Sequence, residues 1–238
     1  MDTKDIKQFY DGKMPEKFSG SYEQKRWASS PILKAQFTMT RDTLRHHLPQ
    51  GKSAKRILEL GCGPGTWTKE LLRIDPLAHI DVVDISHEML EQARVMLKDK
   101  GMISFYESDF LAFRVSQKYD LFFSSRALEY FPDKVPVVAK IYGALAPGKS
   151  AFLITKMPHN RGRKLGKMHE AQVHYKELRK IFYDAGFVKV KMYPATINIP
   201  LIRSPFLSRM LFNIVGRLPI SPFSAFFSES YCIVATKA

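Results

Sequence analysis

The order of apolar runs predicts an α/β fold, a doubly wound and mostly parallel sheet flanked by helices. Short β-rich runs alternate with segments of helical period through most of the chain, the pattern of a sheet covered on both faces. Some of these runs, such as Tyr119–Ser124 (Y-D-L-F-F-S), are apolar enough for burial on both sides. A glycine-rich turn, Gly61–Gly65 (G-C-G-P-G), falls between the first run and the helical segment behind it.

Residues 1–50 precede the first core strand and read as a helical N-terminal extension; 51–238 form the main domain. The extension is polar at first, then repeats apolar residues at Ile32, Leu33, Phe37, Met39, Leu44 and Leu48. Ser30-Pro31 suits the start of that helix, because proline fits a first turn. In Arg56–Thr66 (R-I-L-E-L-G-C-G-P-G-T), Ile57, Leu58 and Leu60 predict a buried strand with Glu59 near its end. Gly61, Gly63 and Gly65 free the backbone for a sharp turn and let a ligand approach the main chain. The residues from Thr66 to Leu72 suit a helix.

Ala78–Ile85 predicts the second strand, with Asp84 at its carboxyl edge, and Ser86 can cap the helix Glu88–Lys98. Met102–Phe110 runs as a third strand into a turn that carries Asp109. The fourth, Tyr119–Ser124, leads into S-S-R-A-L-E-Y-F-P-D. Val135–Leu145 suits a helix, Ala146–Lys149 (A-P-G-K) a turn, and Ala151–Thr155 the fifth strand. After a basic stretch come a helix at His174–Asp184, ended at Gly186, and strands at Phe187–Ala195 and Ser230–Thr236.

Between those last two strands stands an insertion, 196–229, far longer than a hairpin needs. Ser204-Pro205 opens a helix there, with Phe206, Leu207, Met210, Leu211, Ile214, Val215 and Leu218 on one face. Ser208, Arg209, Asn213 and Arg217 lie largely opposite, and Phe223, Phe226 and Phe227 follow. Two readings stand: a helix covering the substrate end of the sheet, or an amphipathic lid that admits a lipid-like acceptor or rests on an anionic membrane surface.

A strand, a glycine turn and a helix N-terminus make a nucleotide-type cradle. The glycines are spaced G-x-G-x-G, not the G-x-G-x-x-G of dinucleotide sites. Glu59 would repel a pyrophosphate and attract an ammonium group. Asp84 lies roughly 20 residues beyond the turn, where a carboxylate can accept from both hydroxyls of a ribose. A ligand with an adenosine-like body and a cationic, amino-acid-like end satisfies both, and S-adenosylmethionine has both.

E-L-G-C-G-P-G resembles the first motif of class I S-adenosylmethionine-dependent methyltransferases of small-molecule type, and V-D-I-S-x-x-M-L their second-strand motif. The resemblance covers roughly 56–190. It implies a seven-stranded Rossmann-like sheet with the last strand antiparallel, an N-terminal helical lid, and S-adenosylmethionine as cofactor with S-adenosylhomocysteine as product. It places Glu59, Gly61, Cys62, Gly63 and Gly65 in the donor loop and Asp84 on the ribose. Ile85 and Met89 would pack on the adenine faces, Asp109 and Phe110 would meet its amino group, and Ser125 would face the pocket with Arg126 and Tyr130. Within the extension, Tyr22, Arg26 and Trp27 are lid candidates, and Arg26 could pair with the methionine carboxylate. Many relatives carry histidine where Tyr130 stands, so base catalysis from that position is in question.

Methyl transfer is an in-line displacement helped chiefly by alignment, so no particular catalytic residue is obligatory. Tyr130, His169 and His174 are the candidates, with His159 also in that region; His46 and His47 read as structural. No metal-ligand spacing is present. A formal charge of +14 fits an anionic small substrate, an anionic membrane surface or nucleic acid. A small, hydrophobic or anionic acceptor leads; an RNA or protein acceptor, served by the basic 156–167 segment, is the alternative. A binding-only scaffold is disfavoured by Glu59, Asp84 and Asp109 together. Two cysteines, Cys62 and Cys232, suggest reduced thiols and a cytoplasmic setting. No apolar run reaches the ~18 residues of a transmembrane segment.

Overall fold

The computed structural model describes residues 3–13, 27–49, 56–158, 171–199, 202 and 204–238. Seven strands form one sheet: β1 (Arg56–Leu60), β2 (His79–Asp84), β3 (Met102–Glu107), β4 (Tyr119–Ser125), β5 (Leu145–Lys156), β6 (Phe187–Ile197) and β7 (Ser228–Lys237). Their order is β3-β2-β1-β4-β5-β7-β6, with β7 antiparallel to both its neighbours and the other pairs parallel.

The apolar runs earn their central places. β1 is buried from Ile57 to Leu60 and pairs with β2 on one side and β4 on the other. Because strand side chains alternate, Leu58 and Leu60 join a core with Phe122, Val137 and Leu178, while Ile57 joins Ile80, Phe123 and Phe152 on the other face. Each face is closed by helices. Strand order runs one way from β1 through β2 to β3 and the other way through β4 to β5, so the sheet has its switch point between β1 and β4. In open α/β sheets that is where ligands enter, beyond the carboxyl ends of the strands.

The helix α1 (Thr3–Gln8) widens into a π-type turn at Phe9–Lys13. α2 (Pro31–His47) starts as expected, with Ser30 Oγ accepting from the Leu33 N–H and proline in the first turn. α3 (Thr66–Ile74) leaves Gly65, whose φ of 88° puts the N-cap in the left-handed region. α4 (His87–Met96) is capped by Ser86, which accepts from the Met89 N–H. α5 (Val135–Ala144) and α6 (Tyr175–Asp184) complete the crossovers. The stretch 146–149 is a bulge within β5 instead of a turn ahead of it: pairing jumps from Tyr119↔Leu145 to Leu121↔Ser150, with Gly148 at φ 70°.

The insertion holds α7 (Pro205–Val215) and α8 (Pro222–Phe227). α7 docks by a different side from the one its periodicity singles out. Ser208, Phe212 and Val215 are buried, and Phe212 and Val215 pack with Ala35, Met39 and Ile197. Of the predicted apolar face, Leu211 and Val215 turn inward, whereas Phe206, Met210, Ile214 and Leu218 stand in water. Ser208 tolerates burial because its hydroxyl accepts from the Ile199 N–H, which answers the desolvation of a polar group.

Candidate active site

At the switch point lies a cavity of about 360 Å³. Gly61, Cys62, Gly63, Asp84, Ile85, Met89, Asp109, Phe110 and Ser125 line it, joined by Arg126 and Tyr130. All of these lie at or just beyond the carboxyl ends of β1 to β4, so four separate segments of sequence converge there.

The glycines have distinct tasks. A Cβ on Gly61 would sit 2.5 Å from the Ala127 Cβ, so the turn can press against the loop after β4 only without a side chain. Gly65 would meet Leu97 at 2.8 Å. Gly63, at φ 52°, has nothing near its missing Cβ, which leaves its backbone open to a ligand.

Asp84 is buried and braces the turn: its Oδ2 accepts from the Gly63 N–H at 2.9 Å and its Oδ1 from the Ser86 N–H at 3.0 Å. Burial nevertheless raises its carboxyl above the ordinary range. Glu59 lies behind the turn and is not part of the cavity lining. It is 1 % exposed, and burial, reinforced by the charge of Asp84, pushes its carboxyl up to about 8. Its Oε2 has no hydrogen-bond partner among the described residues. A sealed carboxyl with an unused oxygen behind the turn that lines a cavity fits an ammonium-bearing ligand. Burial likewise raises the Cys62 thiol, and both Cys62 and Cys232 are free and buried.

Asp109 Oδ1 accepts from the Leu111 N–H at 2.8 Å, the Asx-turn role, while the residue also borders the cavity. Ser125 Oγ is buried at the cavity wall without a partner among the described residues. Arg126 adopts φ 69°, costly for a residue with a side chain. Two bonds hold it there: its N–H donates to the Ile154 carbonyl at 2.8 Å, and its Nε donates to Glu129 Oε1 at 2.8 Å. Glu129 is buried.

Parts of the site have no local signal in the sequence. Tyr10 and Ile6 line the cavity from the N-terminal turn, and the Tyr10 and Tyr130 hydroxyls share a hydrogen bond at 2.5 Å. The turn is fastened by Asp11, whose Oδ1 accepts from Ser86 Oγ at 2.6 Å and from the Glu88 N–H at 3.2 Å. Lys7 donates to the Ile85 carbonyl and to Glu107. Trp67, from the first turn of α3, adds an aromatic wall. Only the run of aromatics at Phe9-Tyr10 hints at this in the sequence.

His174 is not brought to the cavity; its Nδ1 accepts from the Lys176 N–H and caps α6. His47 stacks on Tyr193 at 3.8 Å and bonds the Gly216 carbonyl; His46 bonds the Asp42 carbonyl of its own helix. Tyr22, Arg26, His159 and His169 lie outside the described residues, as does most of the basic segment. Among the described residues no group of three His, Cys, Asp or Glu side chains could hold a metal, and no helix is long and apolar enough to cross a membrane.

The family described as "Methyltransferase domain" matches residues 57–148. The malonyl-[acyl-carrier protein] O-methyltransferase 1 of Ilyobacter polytropus is 33% identical over 112 residues, 47% of this chain and 42% of that protein. The trans-aconitate 2-methyltransferase of Enterobacter sp. strain 638 is 36% identical over 104 residues, 44% of this chain and 39% of that protein. The match thus spans about two fifths of the length of these curated relatives. Among solved structures, magnesium protoporphyrin IX methyltransferase from Synechocystis PCC 6803 superposes with a TM-score of 0.65 at 15% identity, covering 100% of both chains. With this sheet and this glycine turn, residues 57–148 match the methyltransferase domain family, and the chain is similar in sequence and fold to class I S-adenosylmethionine-dependent methyltransferases.

Proposed function

We propose that this chain transfers the methyl group of S-adenosylmethionine to a small acceptor that carries an anionic group on an apolar body. The observation that carries the reading is the uneven charge of the cavity. Asp84 and Asp109 line its donor side and Glu59 lies behind the turn; after β4, Asp133 also lines it, with its Oδ1 taken by the Val135 N–H, and Arg126 is the one cation among the described lining residues. In this reading Asp84 holds the ribose, and Ile85 and Met89 pack on the adenine. Asp109 and Phe110 meet its amino group, and Glu59 attracts the ammonium end.

When bound, the donor supplies an electrophilic methyl on a sulfonium. The chain's own work is alignment and exclusion of water. Tyr10 and Tyr130 wall the cavity with a shared hydrogen bond, and Phe131 with Trp67 keeps the lining apolar. The N-terminal turn serves as a lid over the donor. Arg126, fixed by Glu129, faces the acceptor's anionic group. The acceptors in the two relatives' names, a malonyl thioester and trans-aconitate, are carboxylic acids, and an arginine suits a carboxylate.

Calorimetric titration with S-adenosylhomocysteine tests the donor site; saturable one-to-one binding is expected, and no binding at millimolar ligand would overturn the reading. Transfer of labelled methyl to carboxylate- or phosphate-bearing acceptors, and not to their neutral esters or amides, tests the acceptor class. Label appearing only in RNA or protein would replace it with the macromolecular alternative.

A further inference from the structure

Helix α7 is apolar on two sides, and only one of them is covered. Phe212 and Val215 meet α2 and β6, whereas Phe206, Met210 and Ile214 recur every four residues along the opposite side. Phe206 is 75 % exposed and Ile214 63 %. Leu218, just past the helix, and Phe223 on α8 are exposed as well. Phe223 stacks edge-on against Phe227, which packs on the same small core as Phe212. The two helices of the insertion therefore share a neighbourhood.

The charge of the insertion is as one-sided as its apolarity. From Thr196 to Ser228 the chain contains Arg203, Arg209 and Arg217 and neither Asp nor Glu; the carboxylate at the insertion's last position, Glu229, is engaged by Gln36 and Asn198. Arg209 is engaged with Asp42 of α2 at 3.4 Å; Arg217 is exposed beside Leu218. Exposed apolar side chains beside the exposed Arg217, with no carboxylate on either inserted helix to repel a phosphate, complement an anionic bilayer. Topology orients the surface. β6 ends against the start of β7 at Ile197↔Ser228, and β5 ends at Lys156↔Ser230. The insertion therefore sits at the carboxyl end of the sheet, the end at which the cavity opens.

We propose that the insertion seats the protein on an anionic lipid surface, with Phe206, Met210, Ile214, Leu218 and Phe223 entering the acyl boundary and Arg217 meeting the headgroups. The surface is built from residues outside the donor cradle, so it stands apart from the methyl-transfer reading. The insertion docks the chain at the membrane without crossing it.

Flotation of the full chain with vesicles tests this, using phosphatidylcholine with and without phosphatidylglycerol. Co-flotation with the anionic vesicles that weakens as salt rises is expected. The double variant Phe206→Gln/Ile214→Gln should lose about tenfold or more of the bound fraction, and Phe223→Gln on the second helix should weaken it independently. Arg217→Gln should reduce the preference for anionic over neutral vesicles. Thermal melts and S-adenosylhomocysteine titrations of the same preparations should match the parent chain, which separates loss of docking from loss of fold or of donor binding. Absence of flotation at low salt would overturn the proposal, as would variants that float like the parent. So would a concentration-dependent dimer, abolished by the double variant, in a chain that ignores vesicles.

Discussion

Glu59 and Asp84 stand near the ends of adjacent parallel strands, and the charge of Asp84 adds to the burial that keeps Glu59 protonated up to about pH 8. The folded protein thus retains a proton that the unfolded chain gives up above 4.5. By linkage, the stability tied to this group is fully present below pH 4.5 and is lost as pH rises toward about 8. Glu59→Gln, which mimics the protonated acid, removes that loss. The variant should melt like the parent at acidic pH and roughly 5 °C or more above it at pH 9. Its affinity for S-adenosylmethionine should fall about tenfold or more at pH 9, where the parent's ionised carboxylate attracts an ammonium and a neutral amide does not. Melts across pH with parallel calorimetry check both halves.

Gly61 and Gly63 separate two costs that glycine substitutions usually mix. Gly61→Ala places a methyl 2.5 Å from Ala127 at a left-handed φ, so overlap and strain combine in a loss of about 2–4 kcal/mol. Gly63→Ala meets no neighbour and carries only the backbone penalty, about 1 kcal/mol. Denaturant unfolding should rank them in that order. S-adenosylhomocysteine affinity should drop in Gly63→Ala even where the fold is intact.

The N-terminal turn should come off at low pH before the domain unfolds. Burial opposes the charge of Asp11, but bonds from Ser86 and Glu88 and the Lys7 ammonium outweigh it and hold the carboxyl below 3.8. Glu107 is likewise held below 4.5, chiefly by its bond from Lys7. Depressed carboxyls stabilise above their unfolded values and stop doing so as pH falls through the folded ones. Hydrogen exchange of the α1 amides should therefore accelerate below about pH 4, with the sheet still protected. Asp11→Ala should show the same local opening at neutral pH.

Arg126→Gly should separate strain from recognition. Glycine accepts a φ of 69° without cost, so the backbone is relieved while the guanidinium is lost and Glu129 is left buried without its ion pair. The expected result is a kcat/KM for an anionic acceptor lowered about 100-fold or more, with donor affinity within about threefold of the parent. Arg126→Lys should recover only part, because the ammonium lacks the fork that binds Glu129 and an anion together.

The strands were legible because buried parallel strands leave continuous apolar runs: Tyr119–Ser124 on sequence grounds, Tyr119–Ser125 in the structure. The glycine turn and Ser86 cap were legible from residue chemistry over a few positions. The early start of β5 was not, since Ala146–Lys149 reads as a turn and only the pairing partner shows that it is a bulge. Helical period found the apolar residues of α7 but could not say which stripe its neighbours cover; Ser208 is buried because α2 and β6 are there to receive that side. Tyr10 and Lys7 reach partners about a hundred residues away, and such pairings leave no periodic trace.

The reversal of strand order between β1 and β4 divides the sheet into two arms. Asp84, Asp109 and the glycine turn belong to the first arm, whereas the bulged β5, the hairpin of β6 and β7 and its helices belong to the second. The family match covers 57–148 and stops short of the second arm's outer strands. A rewritten far arm would therefore leave the cradle beyond β1 and β2 in place, because the glycine turn and Asp84 draw their support from the near one.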